Sequence, residues 1–341
     1  MSKKAFFTVI LSAYIFLLTA CQSVEKNSQI IASAFNTATQ VQKRLLDRHA
    51  PKDMLIHSNI IYMNNPTLHF DLYQPADIAA LGQRPTIIWI HGGGWVSGSK
   101  ENARGYFKRL ADQGYNVIAV EYQFAPQHIY PTQLQQINHL FSFITQHAKQ
   151  YSIDAKNLYL AGDSAGANLA SHYAGLVTNP NFAQTSNFEV SLQAQQISGL
   201  ILHCGIYDLE SFVQTAPKKI WLFEWGINTL TQAYTGGRKD DTAFLHSLSP
   251  NQYLTPSYPA VFISSGNKDF LTKSQALPFV DALKKHQIPV VDVFYPNSKE
   301  FLMHEYQFMM SKKASQETFQ KTLQFLRDTS KTKANIRLIS E

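Results

Sequence analysis

Cysteine is nearly absent from the 341-residue chain: there are two, Cys21 and Cys204. Two thiols cannot build a disulfide framework. Charge is also sparse, at 16% of residues, and the net charge of +6 is spread without a basic run. That distribution argues against a nucleic-acid binder and says little about other partners. Internal repeats and low-complexity tracts are missing, and a 45% hydrophobic content excludes a disordered or collagen-like chain. What remains is a chain long enough to bury one or two packed cores.

The first twenty residues read as an address. Lys3 and Lys4 form a positive start, and Ala5 to Leu18 is apolar but shorter than the roughly 20 residues of a spanning helix. The stretch ends in Leu18-Thr19-Ala20-Cys21, which resembles the lipobox of bacterial lipoproteins. That resemblance implies cleavage before Cys21 and acylation of its thiol and new amine, several chains being needed for a stable anchor. The bilayer is then a partner and the location a bacterial cell envelope. Gln22, where an Asp would imply inner-membrane retention, favours the outer membrane. Lipidation leaves Cys204 without a disulfide partner; at the end of the apolar run Ile197–Cys204 it reads as a buried small hydrophobe.

Residues 21–50 read as a tether and a helix that packs on the body or its lid, with Ile30, Ile31, Ala34, Phe35, Val41, Leu45 and Leu46 in one stripe. From residue 51 to about 330, short β-branched and aromatic runs alternate with helical patterns. The expected strands are Leu55–Tyr62, Leu68–Tyr73, Thr86–His91, Asn116–Glu121, Asn157–Ala161, Ile197–Cys204, Ala260–Ser265 and Val290–Tyr295. Helices are expected over about 100–113, 132–150, 165–178, 272–287 and 306–328. Strands this apolar belong in a sheet covered on both faces. The first two, joined through Asn64-Asn65-Pro66, form an antiparallel hairpin. The fold class is therefore α/β, with a mostly parallel eight-stranded sheet. Residues 205–250, holding Phe212, Trp221, Phe223, Trp225 and Tyr234, break the alternation and form a small helical cap, while 331–341 is a tail. Those aromatic residues are candidates for an acyl pocket, although in a helical insertion they also serve as plain core.

Gly162-Asp163-Ser164-Ala165-Gly166 fits G-x-S-x-G. Average glycine and serine usage would produce that pattern in about one such chain in ten, so context decides. A strand precedes it and an alanine-rich helix follows, and a serine in so sharp a turn is forced outward. The helix N-terminus offers free N–H groups and partial positive charge to a developing anion. His91-Gly92-Gly93-Gly94-Trp95 also follows a strand directly, 73 residues earlier. Three consecutive glycines are costly to order, which implies backbone presented to a ligand. Gly93, Gly94 and Ala165 are the candidate oxyanion donors. A phosphate cradle would need the Lys and Ser/Thr that are missing here.

These motifs, with Tyr122, Ala125-Pro126, Tyr130-Pro131 and Ser249-Pro250, resemble the α/β-hydrolase fold and, within it, the hormone-sensitive-lipase-like esterases, over about residues 54–328. Gln123, Gln127 and Gln136 stand where that family has charged residues. The resemblance implies a serine hydrolase with its triad in the order Ser, Asp, His. Asp269, in Gly266-Asn267-Lys268-Asp269, follows a late strand and is the candidate acid. Asp208 is its rival; Asp281 and Asp292 fall within a helix and a strand. Of the two histidines after Asp269, His286 lies at a helix end and His304 beyond the last strand, which makes His304 the candidate base. Ser164, Asp269 and His304 then cleave an ester of a small or medium acyl chain through an acyl-enzyme. No cofactor or metal is implied, since His91, His203 and His246 are scattered. Asp163 reads as structural. Deacetylation of a carbohydrate or cleavage of an aryl formamide uses the same triad, and a non-catalytic receptor would be expected to lose Ser164 or His304.

The lipobox reading predicts that the full-length chain partitions into detergent when expressed in a bacterium, and that Cys21→Ser abolishes this. A Cys21→Ser variant that still partitions would assign membrane attachment to another feature.

Overall fold

The computed structural model describes residues 23–215 and 220–330. The expected signal peptide, Cys21 and the tail 331–341 lie outside them. Eight strands, β1 (Met54–Ile61), β2 (His69–Pro75), β3 (Arg84–Ile90), β4 (Asn116–Val120), β5 (Ile153–Asp163), β6 (Ile197–His203), β7 (Val261–Ser265) and β8 (Val290–Phe294), form one sheet. Its order is β1-β2-β4-β3-β5-β6-β7-β8. Strand β2 runs antiparallel to both neighbours and all other pairings are parallel.

The principal helices are α1 (Val24–Asp47), α2 (Arg104–Asp112), α3 (Thr132–Gln146), α4 (Ala165–Thr178), α5 (Leu209–Gln214), α6 (Trp221–Tyr234), α7 (Thr242–Ser247), α8 (Leu277–Lys285) and α9 (Lys313–Thr329). The strands' unbroken apolar character follows from their cover. Ile88, Ile90, Ile118 and Leu160 point to the face packed by α3, α4 and α8. Ile87, Trp89, Val117 and Ala161 point to the opposite face, under α2 and α9. Alternate side chains enter two different cores, so neither parity can be polar.

The expected strands all form, with ends shifted by a few residues. Strand β5 is the longest departure, running from Ile153 to Asp163 and delivering the chain directly to Ser164. Two expected helices are interrupted. The stretch 272–287 opens as a π-turn over Thr272–Ala276 before α8, and 306–328 consists of a 3₁₀ turn, Tyr306–Phe308, and a separate α9. Helix α3 stops at Gln146, short of 150. Helices α5, α6 and α7 lie between β6 and β7, over the stretch read as a cap. Helix α1 begins immediately, at Val24, with Ser23 accepting from the Lys26 N–H, so little tether is left. It packs on α6 and α2. Among the described residues no helix is long and apolar enough to cross a membrane.

Three buried groups make stability depend on pH. His172 sits under Leu248, its Nδ1 3.2 Å from that carbonyl, and His203 is 2.7 Å from Ser264 Oγ. Burial pushes the rings down to about 4 and about 3, from 6.5. Asp163 goes the other way: burial and nearby Glu305 push it up to about 7, from 3.8. As pH falls below 6.5 the unfolded chain gains protons on both histidines that the native state refuses, at up to about 1.4 kcal/mol per pH unit each. Asp163 takes up its proton in the native state over the same window and offsets one of them. Urea unfolding is therefore expected to lose about 2 kcal/mol of stability between pH 6.5 and 4.5. A flat profile would contradict this assignment of buried neutral rings.

Candidate active site

Ser164 is the single residue between β5 and α4. Its backbone is left-handed, φ 52° and ψ −120°, a conformation that costs a non-glycine residue about 1–3 kcal/mol. The turn is held by the Ser164 N–H donating to His203 O at 2.9 Å and by the Asn168 N–H donating to Ser164 O at 3.2 Å. It is also tight. A Cβ on Gly166 would lie 1.9 Å from Ile90 O, and one on Gly162 would lie 2.5 Å from Gly166 C. Any side chain at either position would push α4 off the sheet. The Ser164 hydroxyl is thereby thrust out of the sheet, at the edge of a cavity, with the N-terminus of α4 beneath it.

The loop after β3 closes over the same point. Asp163 accepts from Trp89 Nε1 and from the Gly92 N–H, both at 2.8 Å. Gly92 lies so close that a Cβ there would sit 2.5 Å from the carboxylate and 3.1 Å from Ser164 Cβ. The Gly92 carbonyl is 2.8 Å from His91 Nδ1, which must donate to it. The Gly93 carbonyl accepts from the N–H groups of Val96 and Ser97 and from Ser97 Oγ. Because a trans peptide places N–H opposite C=O, fixing these two carbonyls turns the Gly93 and Gly94 N–H groups the other way. Both glycines have positive φ, 119° and 62°. Among the described residues, the N–H groups of Gly93, Gly94 and Ala165 donate to no protein acceptor. They remain available to an anion.

Asp269 and His304 come from loops after β7 and β8. Gly266 brings the loops together, since a Cβ there would lie 2.2 Å from Leu302 O. Asn267 joins them, donating to Ser298 O and Glu300 O at 3.1 Å and accepting from the Leu302 N–H at 3.2 Å. The result is a hydrogen bond of 3.0 Å from His304 Nδ1 to Asp269 Oδ2. The Asp269 side chain is fully buried and also accepts from the Leu271 N–H and Ser265 Oγ. Burial favours its neutral form, but His304 and these donors outweigh it and hold the carboxyl below its usual value. For His304, burial opposes charge, while Cys204 and Asp269 beside it favour the imidazolium and raise its basicity well above the ordinary value. With Nδ1 committed to Asp269, Nε2 is the ring nitrogen left for proton transfer. His304 and Ser164 line one cavity, with no direct hydrogen bond between them; such bonds commonly tighten when substrate binds.

The alternatives are placed elsewhere. Asp208 caps α5, accepting from the Ser211 N–H at 2.9 Å and from Asn251 at 3.0 Å. Asp281 is exposed on α8, His286 ends that helix, and Asp292 pairs with Lys284. Asp163 has the structural position expected of it. Cys204 is buried, as expected, but it is not merely a core residue: its Sγ, an Asp269 oxygen and a His304 ring nitrogen lie within 4.8 Å of one another. These are the atoms that could hold a metal, although Asp269 and His304 spend theirs on each other. Burial pushes the thiol up to about 11, while His304 beside it draws it the other way. Its place after β6, at the edge that carries the other groups, was the readable signal.

The cavity measures about 940 Å³. Phe212, Phe223 and Trp225 of the cap stretch line it, whereas Tyr234 stacks on Trp95 in the core. Helix α1 supplies another wall through Ile31, Phe35 and Val41, and Phe35 reaches the glycine loop. Phe270 lies 5.8 Å from the His304 ring. Gln123 and Gln136, at positions charged in the resembled family, hydrogen-bond each other at 2.6 Å, and Gln136 accepts from the Gln123 N–H.

Residues 70–281 match the family model BD-FAE. A curated relative, an acetyl esterase of Salmonella paratyphi B, is 26% identical over 247 residues, covering 70% of each chain. Esterase B from Lactobacillus Rhamnosis superposes with a TM-score of 0.76 at 21% identity, covering 91% of this chain and 96% of that one. A bacterial heroin esterase superposes with a TM-score of 0.70 at 18% identity, covering 93% and 96%. The fold is that of the α/β-hydrolases.

Proposed function

The chain belongs to the BD-FAE family and is an enzyme of the carboxylesterase type, and from that premise we propose that it cleaves esters of small to medium acyl chains with Ser164 as nucleophile, His304 as base and Asp269 as orienting acid. The observation that carries this reading is the convergence of three independent elements on one cavity: the strained Ser164 turn, the unpaired glycine-loop N–H groups, and the Asp269–His304 pair.

Asp269 fixes the His304 tautomer with the proton on Nδ1. Nε2 then accepts the Ser164 proton as Oγ attacks the ester carbonyl, and Asp269 stabilises the imidazolium. The carbonyl oxygen, now negative, receives hydrogen bonds from Gly93, Gly94 and Ala165, each worth about 2.7–4 kcal/mol of transition-state stabilisation. His304 returns the proton to the leaving alcohol. Water, deprotonated by the same ring, attacks the acyl-enzyme and releases the acid and Ser164. Lining by Phe212, Phe223 and Trp225 supports an acyl pocket under the cap. The likeness to proteins named acetyl esterase favours short acyl groups and keeps sugar deacetylation as a second reading.

Membrane attachment through an acylated Cys21 at the bacterial envelope is part of the proposal and rests on the lipobox. Only Gln22 and Ser23 separate Cys21 from α1, so the anchor would hold a wall of the cavity near the bilayer.

Hydrolysis of p-nitrophenyl butyrate and labelling by a fluorophosphonate are expected, with both lost in Ser164→Ala. Asp269→Asn is expected to lower kcat by about 10³–10⁴-fold. Because His304 must be neutral and its basicity is raised, the acid limb of the kcat/KM profile should be centred above pH 6.5. A folded protein that neither hydrolyses the ester nor takes the label would overturn the reading. A near-normal Asp269→Asn rate would remove Asp269 from the triad.

A further inference from the structure

The cavity has two ends of different character. Beside the glycine loop and His304, apolar walls come from Leu230, Phe223 and Phe270. Its other end follows α1 past the catalytic groups and is lined by Arg48, Arg109 and Lys312. The helix gives the spacing. Phe35 touches the glycine loop, Gln42 donates to Glu305 next to His304 at 3.2 Å, and Arg48 lies six residues further on, about 9 Å along the axis.

Charge accounting at this end leaves cations over. The nearby acids are already engaged, Asp47 by Arg104 at 2.6 Å and Glu101 by Lys43. Glu305 faces Gln42. Among the described residues Arg48 and Lys312 form no ion pair, and Arg109 donates only to the carbonyls of Leu46 at 3.1 Å and Gly105 at 2.6 Å. Half-buried Arg109 thus holds the end of α1 while its charge stays uncompensated by a paired carboxylate. Three cations from three segments, exposed Arg48 at the end of α1, Arg109 on α2 and Lys312 before α9, line a largely apolar cavity, where they raise the local concentration of anions and complement a carboxylate or phosphate.

We propose that Arg48, Arg109 and Lys312 form an anion subsite, and that the preferred ester carries a negatively charged group remote from its scissile carbonyl, beyond the Gln42–Glu305 contact. This rests on the esterase reading and deepens it to a substrate class: acid-bearing esters, such as half-esters of long dicarboxylic acids or esters of ω-hydroxy acids.

The test compares kcat/KM within two matched pairs. On the acyl side these are the mono-p-nitrophenyl ester of decanedioic acid and p-nitrophenyl decanoate. On the alcohol side they are 6-carboxyhexyl butyrate and heptyl butyrate. In at least one pair the charged ester should be favoured tenfold or more at low ionic strength, with the preference shrinking as salt screens it. The Arg48→Gln/Lys312→Gln double variant should cut that ratio at least fivefold; Arg109 is spared because it also caps α1. Equal or inverted ratios in both pairs, or a ratio unchanged in the double variant, would overturn the subsite while leaving the esterase reading intact. A protein that hydrolyses none of the four esters removes both.

Discussion

The buried carboxylate of Asp163 is the contact on which the candidate site depends. It stands at the end of β5, one residue before Ser164, and accepts from Trp89 on β3 and from the first N–H of the glycine loop. A chain segment with three glycines has no packing of its own to hold it. Here it is clasped to the residue adjoining Ser164, so the proposed nucleophile and the proposed anion donors are held as one body. The arrangement is costly, since burial and Glu305 push Asp163 up to about 7. Desolvating a carboxylate is offset only by well-placed donors, and both of its oxygens have one.

Around that clasp, the geometry follows from close approach. Gly162, Gly166 and Gly266 each stand where a Cβ would meet backbone at 2.5 Å or less. The first two bring α4 against β3 and β5, and the third brings the Asp269 and His304 loops together. Asn267 completes the joint between those loops. Orientation of His304 is thus a property of two neighbouring strands rather than of the histidine's own segment, which explains how a residue in a loop with a left-handed neighbour, Glu305, is held in register with Asp269.

Much of this was legible in the sequence because the chemistry imposes spacing. The strands are apolar at both parities, the serine turn needs small neighbours, and a candidate acid and base are sought after late strands. The remainder was not legible, for physical reasons. Helix α1 has a broken stripe: Ile31 and Leu46 are buried, while Ile30, Val41 and Leu45 are exposed around the cavity, so periodicity marks a helix without saying that it walls a site. Cys204 looks like any small core residue until its position at the sheet edge is set beside His304. Asn267 and the Gln123–Gln136 pair work through contacts between segments distant or reversed in the fold, which composition does not register. The π-turn before α8 and the break before α9 are tertiary adjustments inside patterns that read as continuous helices.

Asp163 positions the glycine-loop N–H groups relative to Ser164. Asp163→Ala leaves the Gly92 N–H and Trp89 Nε1 without their partner, at about 1–3 kcal/mol each, and frees the glycine loop. The decisive measurement is the rate of inactivation by a phosphonate ester together with turnover of a neutral ester, on variant protein shown to be folded. Both rates are expected to fall at least tenfold while KM changes little, because the loss falls on the anionic transition state. Rates equal to those of the wild type in a folded Asp163→Ala protein would contradict it.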